Sequence, residues 1–414
     1  MSTHPTAIDR PKLRRVAARR VVQDGKTWIR IEDPHGLFAP HLIAPEGYFG
    51  LLQHCDGRNS LEEIRRKMSA QVGRPVPMGE VLDFCTQLDR SMVLDGAAYR
   101  SFLDGYRAES IRPPAFSGRS YDADVSNLVR RLDGFYNGTR GAGHASLPEA
   151  RGKLRAVLSP HIDFQRGGHA YTFAYKALRE RIGDEVDTFV ILGVAHQGTA
   201  HRFAVTRKAF RTPLGTAPTD QECVDHLLSR AGSHLLDDEL SHRTEHSIEF
   251  QVVFLQHALG ARPFRIVPIL VGSFHDLLGR GIDPIDDPDV AGFVSALMEA
   301  ESARPNRVAY IGGIDLCHVG PEFGDPGPVT AEFREQIGQF DGTLLDRAAD
   351  GDPRGWFETA ARVNDRWRVC GLSATYTLLH AVGPVKGTKL AYDQAVDPAG
   401  DCCVTFASMA LEAV

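Results

Sequence analysis

No stretch of this chain approaches the ~18 consecutive apolar residues that a membrane helix needs, which excludes a helical membrane protein. The Arg-rich start is not followed by an apolar core, so no secretory signal is expected and the expected location is the cytoplasm. A basic excess is also missing. Against 47 Lys and Arg stand 53 Asp and Glu, a formal charge of -6, which argues against a dedicated nucleic-acid binder. Seven cysteines, an odd number scattered over 414 residues, do not make a disulfide framework. A cysteine with a special role here is a ligand or a nucleophile. Internal repeats and low-complexity tracts are absent, and the acidic loop 283–289 lacks EF-hand spacing, so it reads as a solvated turn.

What is present is the composition of a soluble globular protein, 43% hydrophobic and 24% charged. The length is too great for one ordinary domain, and two are expected. Residues 1–110 begin with a basic run, Arg10 to Arg20, read as a solvated arm. Asp24-Gly25 between β-prone residues then predicts a tight hairpin. A short helix is expected from Pro45 to His54. Ser60 to Glu63 has capping-box spacing and opens a helix with Leu61, Ile64 and Met68 on one side. A second helix is expected over Met78–Met92, with another extended piece after Asp95-Gly96. Small helices followed by hairpins describe a winged-helix unit. The Pro/Gly-rich stretch 111–118 reads as a linker.

Residues 119–414 change pattern. Continuous apolar runs too short for helices occur at Leu154–Leu158, Phe189–Leu192, Phe264–Val271 and Val308–Ile311. Helix-length segments separate them. That is the pattern of an α/β domain with a buried, mostly parallel sheet flanked by helices. Three of these runs deliver a histidine just past their carboxyl ends: His161, His196 and His318, the last preceded by Asp315. Ligands bind at that edge of open parallel sheets, because the loops diverge there. Converging neutral imidazoles can hold a transition metal, and a thiolate or carboxylate is the usual companion. Cys370, just before an apolar helix from Leu372, is the candidate, since a helix N-terminus favours the thiolate. Core packing is the competing reading of that residue. Cys317 is expected to point away from whatever His318 faces, and Cys402-Cys403 to pack in the core. The polar turn Glu245-His246-Ser247-Ile248-Glu249 opens an otherwise apolar helix. It can line a pocket, or be an exposed start that welcomes acidic side chains.

These motifs resemble the Memo family in their order along the chain. They are Ser159-Pro-His161-Ile-Asp163-Phe164, Leu192-Gly-Val-Ala-His196, Arg211-Thr-Pro-Leu-Gly215, Glu245-His246-Ser-Ile-Glu249, Val267 to Gly272, Asp315-Leu-Cys-His318 and Cys370-Gly371. The family's bacterial members are called AmmeMemoRadiSam system protein B. The resemblance covers about residues 118–414 and implies a fold related to the class III extradiol dioxygenases, which use a non-haem iron. It implies that His161, His196 and Cys370 are metal ligands, that His318 is the acid/base residue, and that Asp315 shares its pocket. Asp163, Glu245, His246 and Glu249 are expected to line that pocket. Iron(II) or copper is the expected metal, with zinc less favoured, and thiolate in place of carboxylate softens the site and favours a redox or copper role over ring cleavage. The resemblance also implies a radical-SAM enzyme and an AMMECR-like protein as partners. In two places the chain departs from the family. Gln197 stands where a second histidine is common, and Ile162-Asp163-Phe164 replaces a small residue, Gly and Tyr.

About residues 15–100 resemble a PqqD-like domain, through Cys55-Asp-Gly57, the capped helix after it and the Glu80–Leu94 helix. That implies a bound leader peptide. DNA is the rival ligand, but Glu80, Asp83 and Asp89 against Arg90 on the second helix would repel phosphates. The expected function is that of a metal-dependent redox protein. The alternative is a non-catalytic scaffold that binds a peptide or partner and keeps a vestigial metal pocket. A zinc hydrolase is a third reading, without a zincin-type motif to supply its general base.

Overall fold

A computed structural model describes residues 8–38 and 42–414, and the chain divides into two compact units, Met1–Glu109 and Ser110–Val414. In the first unit, β1 (Ala17–Gln23) and β2 (Lys26–Glu32) form an antiparallel hairpin. Its turn residues Asp24 and Gly25 both adopt left-handed φ, 51° and 68°, the conformation this dipeptide favours in a type I′ turn. β3 (Leu42–Pro45) adds antiparallel to β2. The helices α1 (Phe49–His54), α2 (Leu61–Val72), α3 (Met78–Arg90) and α4 (Ala97–Ala108) follow. Ser60 caps α2 with a full capping box. Its hydroxyl accepts the Glu63 N–H, and the Glu63 carboxylate accepts the Ser60 N–H at 2.7 Å. Ile64 and Met68 of α2 pack with Val81, Cys85 and Leu88 of α3 against Ile29 and Ile31 of the sheet.

Three expectations for this unit change. The sheet precedes the helices along the chain. The extended piece expected after Asp95-Gly96 is α4, for which Gly96 is the N-cap, and Leu94 makes a single bridge to Leu13. The basic run is solvated at Arg10, Lys12, Arg15, Arg19 and Arg20 as expected, but it is tied to the unit and Arg14 is buried. Leu13 and Arg14 donate their N–H groups to Cys55 and Val93, and the Arg14 side chain is buried on Asp33 at 2.8 Å.

The second unit begins with β4 (Ile111–Arg112), α5 (Val125–Asn137), β5 (Leu154–Ser159), α6 (Phe164–Arg181) and β6 (Thr188–Val194). β7 (Phe203–Val205), β8 (Ala209–Thr212), β9 (Gly215–Ala217), α7 (Gln221–Ala231), α8 (His246–Leu259) and β10 (Arg265–Val271) come next. The chain ends through α9 (His275–Arg280), α10 (Pro288–Ser302), β11 (Val308–Gly313), β12 (His318–Val319), α11 (Ala331–Ala349), α12 (Pro353–Ala361), α13 (Leu372–Val382), β13 (Val385–Val396) and β14 (Cys403–Ala413).

The large sheet has the order β12-β14-β5-β11-β6-β10-β7, with β13 also on β14. The four predicted apolar runs are its centre. β5, β11, β6 and β10 pair in parallel. β14, β13, β12 and β7 all pair antiparallel, so the sheet is mixed where a mostly parallel one was expected. Alternation along the strands explains why the central runs are continuously apolar. Val190, Leu192, Val267 and Ile269 pack under α7, α10 and α13 on one face, while Phe189, Ile191, Ile266 and Leu270 pack under α6 and α8 on the other.

The stretch read as a linker, 111–118, is built into this unit. β4 pairs in parallel with β8. Arg112 is fully buried and forms an ion pair with Glu249, which is just as buried. The same carboxylate accepts the N–H groups of Ala115 and Phe116, each at 3.0 Å, and the Tyr121 hydroxyl. Among the described residues no helix is long and apolar enough to cross a membrane.

Candidate metal centre

The carboxyl ends of β5, β6 and β11 place their loops side by side, and His161, His196 and Asp315 are each the second residue beyond them. The His161 ring is buried, and its Nδ1 donates to the Gly313 carbonyl at 2.8 Å. That bond fixes the tautomer and leaves Nε2 with a free lone pair. His196 is oriented in the same way by a carboxylate, with Nδ1 2.9 Å from Glu245 Oε1. Glu245 can do this because it is the N-cap of α8, holding the N–H groups of His246 and Ser247 as well as that of His196. Imidazole Nδ1 groups tied to a carbonyl and a carboxylate are the usual support behind metal-binding histidines.

Both free Nε2 atoms meet the Cys370 thiol, each at 3.3 Å from Sγ. Four features hold this cysteine there. Its N–H donates to the Leu316 carbonyl, and the next N–H, of Gly371, donates to Asp315 O. Gly371 permits that approach, since a Cβ there would lie 2.6 Å from Ile314 Cβ and 2.9 Å from Asp315 O. Trp356, buried under α13, donates its indole N–H to Leu372 O at 3.0 Å. Upstream, Asn364, Asp365 and Arg368 all take left-handed φ, 50°, 42° and 55°. Asp365 holds the bend by accepting the Val369 N–H at 3.0 Å and His275 Nε2–H at 2.6 Å.

Electrostatics favour an ionised thiol. Burial opposes charge on Cys370, but the adjacent His161 and His196 rings bring its pKa down to about 7. Burial likewise opposes charge on His196, yet Cys370 and Glu245 hold its pKa well above the ordinary histidine value. Burial would raise the Glu245 pKa, but His196 and His246 keep it well below the usual carboxylate range. His161, enclosed more deeply, is shifted down by burial.

Asp315 is buried behind His161. It accepts the His161 N–H at 3.0 Å and lies 3.6 Å from His161 Nε2, and burial raises its pKa. His318 faces a cavity of about 330 Å³ that His196 and Cys370 also line, with Val271, Phe323 and Leu372 on its apolar walls. Its Nδ1 lies 3.3 Å from the Leu316 carbonyl, and burial lowers its pKa.

The structure separates the four residues expected to line the pocket. His246 joins the cluster directly: one nitrogen each of His161, His196 and His246 lie within 4.8 Å of one another. Glu245 stands behind His196. Glu249 points away from the cluster into the Arg112 and Tyr121 pocket, because a fully buried carboxylate needs that cation. Asp163 is the N-cap of α6, accepting the N–H groups of Gln165 and Arg166 and pairing with the Arg166 guanidinium, so its oxygens are engaged away from the cluster. Cys317 is buried, with Sγ on Asp341 Oδ1 at 3.1 Å. Sequence reasoning missed Arg112. Its only signal was a lone arginine before Pro113-Pro114, yet its guanidinium donates to the carbonyls of His242 and Glu245 at 2.9 and 2.8 Å. It thereby pins the turn that presents Glu245.

His242, in the same turn, is fully buried, and Nε2 donates to Ala204 O at 3.1 Å. Burial pushes its pKa down to about 3. The unfolded chain therefore takes up a proton near pH 6.5, and the folded chain does not until about pH 3. Between those values the unfolded state binds more protons, so stability falls as pH falls. At pH 5 the loss from this residue is about 2 kcal/mol. Unfolding free energies measured from pH 7 to pH 5 should show His242→Gln losing less stability than wild type. Equal losses would contradict the assignment.

A mixed α/β sheet carrying a two-imidazole, one-thiol cluster at its carboxyl edge defines a protein with a candidate transition-metal centre. The profile of the Memo-like protein family matches residues 112–410, and the chain belongs to that family. A MEMO1 family protein of Aquifex aeolicus is 26% identical over 386 residues, covering 92% of this chain and 94% of the relative. Coverage that broad takes in most of the N-terminal unit too. Relatives of the same description in Methanopyrus kandleri and Thermococcus kodakarensis are 30% identical over 299 residues and 31% over 291. They cover 70% and 68% of this chain, and 94% and 92% of the relatives themselves.

Proposed function

We propose that the second unit is a redox protein holding iron(II) or copper on His161, His196 and Cys370, with His318 and Asp315 managing protons beside it. The observation that carries this reading is the Cys370 thiol at 3.3 Å from two Nε2 atoms whose rings are oriented from behind. In a tetrahedral site, sulfur and nitrogen ligands stand roughly 3.6 Å apart, close to the spacing of each sulfur–nitrogen pair here. Imidazole with thiolate suits copper, iron and zinc far better than magnesium or calcium. When bound, such a metal supplies Lewis acidity and electron transfer, with positions open to dioxygen and an organic substrate.

The chain's own residues do the rest. His318 is kept neutral by burial, and with Nδ1 toward the Leu316 carbonyl its Nε2 is the base that takes a proton from a molecule in the cavity. Asp315 fixes the loop of His161 and faces His318 with a carboxyl that burial inclines to keep its proton. Val271, Phe323 and Leu372 give the same space apolar walls.

Replacing His318 with Ala should leave metal content near wild type while redox turnover falls by ~10²–10⁴. Elemental analysis paired with oxygen consumption reads both quantities. If His318→Ala strips the metal as fully as His161→Ala does, His318 is a ligand and this division of roles is wrong. Protein purified anaerobically without stoichiometric metal would instead favour the scaffold reading.

The wider reading places this chain as the B protein of an AmmeMemoRadiSam system in the cytoplasm, working with a radical-SAM enzyme and an AMMECR-like protein. The N-terminal unit would be its PqqD-like, winged-helix module, folding independently. Support comes from β1, an exposed strand at one edge of its sheet, where an extended peptide could add as a further strand.

A further inference from the structure

His246 has a position that packing alone does not require. It is the first residue of α8, and its ring stacks on that of His196 with centroids 4.7 Å apart and planes 20° from parallel. It meets His161 edge-on at 5.2 Å. Phe116 and Phe250 back it edge-on at 5.7 and 5.3 Å, so the ring is held against the cluster by apolar neighbours. Its Nδ1 is 3.1 Å from Glu245 Oε1. That oxygen already takes the His196 Nδ1–H and the N–H groups of His246 and Ser247. Glu245 thus holds the Nδ1 side of the ring, and the stack on His196 keeps the ring against the cluster.

We propose that His246 is a fourth donor to the same centre, which makes the resting site a closed set of three imidazoles and one thiolate. This inference rests on the metal reading above. Ligand nitrogens around a tetrahedral ion stand roughly 3.4 Å apart, and the three histidine nitrogens lie within 4.8 Å of one another. Closing the set takes a movement of up to about 1.4 Å and a turn of the His246 ring out of its near-parallel stack on His196, so that both ring planes contain the ion. The same movement in reverse frees one position, so an incoming small ligand competes with a protein side chain for it. A closed tetrahedral donor set of this kind also holds the ion more tightly than the three-donor face alone.

The test uses the full chain, titrated anaerobically with Co(II), whose visible spectrum reports coordination number and thiolate bonding separately. His246→Phe keeps the ring packing and removes the nitrogen. His246→Ala opens a space that added imidazole can fill. Wild type should give the intense d–d bands of four-coordinate Co(II) with a thiolate charge-transfer band. His246→Phe should keep the charge-transfer band, shift the d–d bands as water takes the place of an imidazole nitrogen, and bind Co(II) ~10–100-fold more weakly, a loss at least as large as that of an outer-shell partner. Imidazole should restore the wild-type spectrum to His246→Ala, a rescue that mere damage to folding would not give. Spectra and affinity unchanged in both variants would overturn the inference and leave the three-ligand centre standing. No thiolate band in wild type would overturn the centre itself, and this inference with it.

Discussion

Bound metal is expected to fall to a small fraction of wild type when Cys370 becomes Ser. The hydroxyl keeps its proton at neutral pH, whereas the Cys370 thiol, drawn down to about 7 by two imidazoles, is already half ionised there. The change removes the anionic ligand of the set and leaves both imidazoles in place. Glu245→Gln should be milder, a ~10–100-fold loss of affinity, because it weakens the support behind His196 without removing a donor. Protons and metal compete for the same atoms, so acidification below pH 7 should release metal from wild type. Inductively coupled plasma analysis after dialysis at pH 8.5 and pH 5.5, values more than about a unit either side of the thiol's about 7, checks all three points. Metal content in Cys370→Ser equal to wild type would remove the thiol from the centre.

The second large effect is on stability. Glu249→Ala leaves the Arg112 guanidinium buried without its counter-charge, and also strips the acceptor from Ala115, Phe116 and Tyr121. Breaking a buried pair in this way typically costs about 3–5 kcal/mol. Replacing both partners by apolar residues, Arg112→Met with Glu249→Leu, should recover part of that loss, since no charge is then left buried. Urea unfolding of the three proteins decides it. A cost under about 1 kcal/mol for Glu249→Ala, the value of an exposed pair, would show that the network is not the anchor described. Because Arg112 also grips the carbonyls of His242 and Glu245, metal affinity should weaken in the same variant.

The centre of the fold was legible because parallel strands covered on both faces must be apolar at every position. β5, β6, β10 and β11 stand out as short runs for that reason, and the histidines stand out because they end those runs. The antiparallel flank was not legible. β14 is almost wholly buried yet carries Thr405, Ser408 and Glu412. Ser408 donates to the Ala170 carbonyl and Glu412 pairs with Arg181, both on α6 and more than 200 residues earlier, while Thr405 accepts the Cys317 N–H. Helical spacing also left the roles in the first turn of α8 open. At i and i+4 Glu245 and Glu249 share one helical face, but tertiary neighbours give them different tasks: His196 claims one and Arg112 the other. His246, about 100° round the helix from Glu245, enters the cluster because α8 begins at the sheet edge and its first turn lies over His161 and His196.

The central claim is that His161, His196 and Cys370 share one ion. X-ray absorption on anaerobically purified protein, at the edge of whichever metal it retains, measures this most directly. The account predicts one sulfur scatterer at about 2.3 Å together with imidazole nitrogens at about 2.0–2.1 Å, and loss of the sulfur shell alone in any metal that Cys370→Ser still holds. A first shell of light atoms only, with no sulfur in the wild-type spectrum, would contradict it.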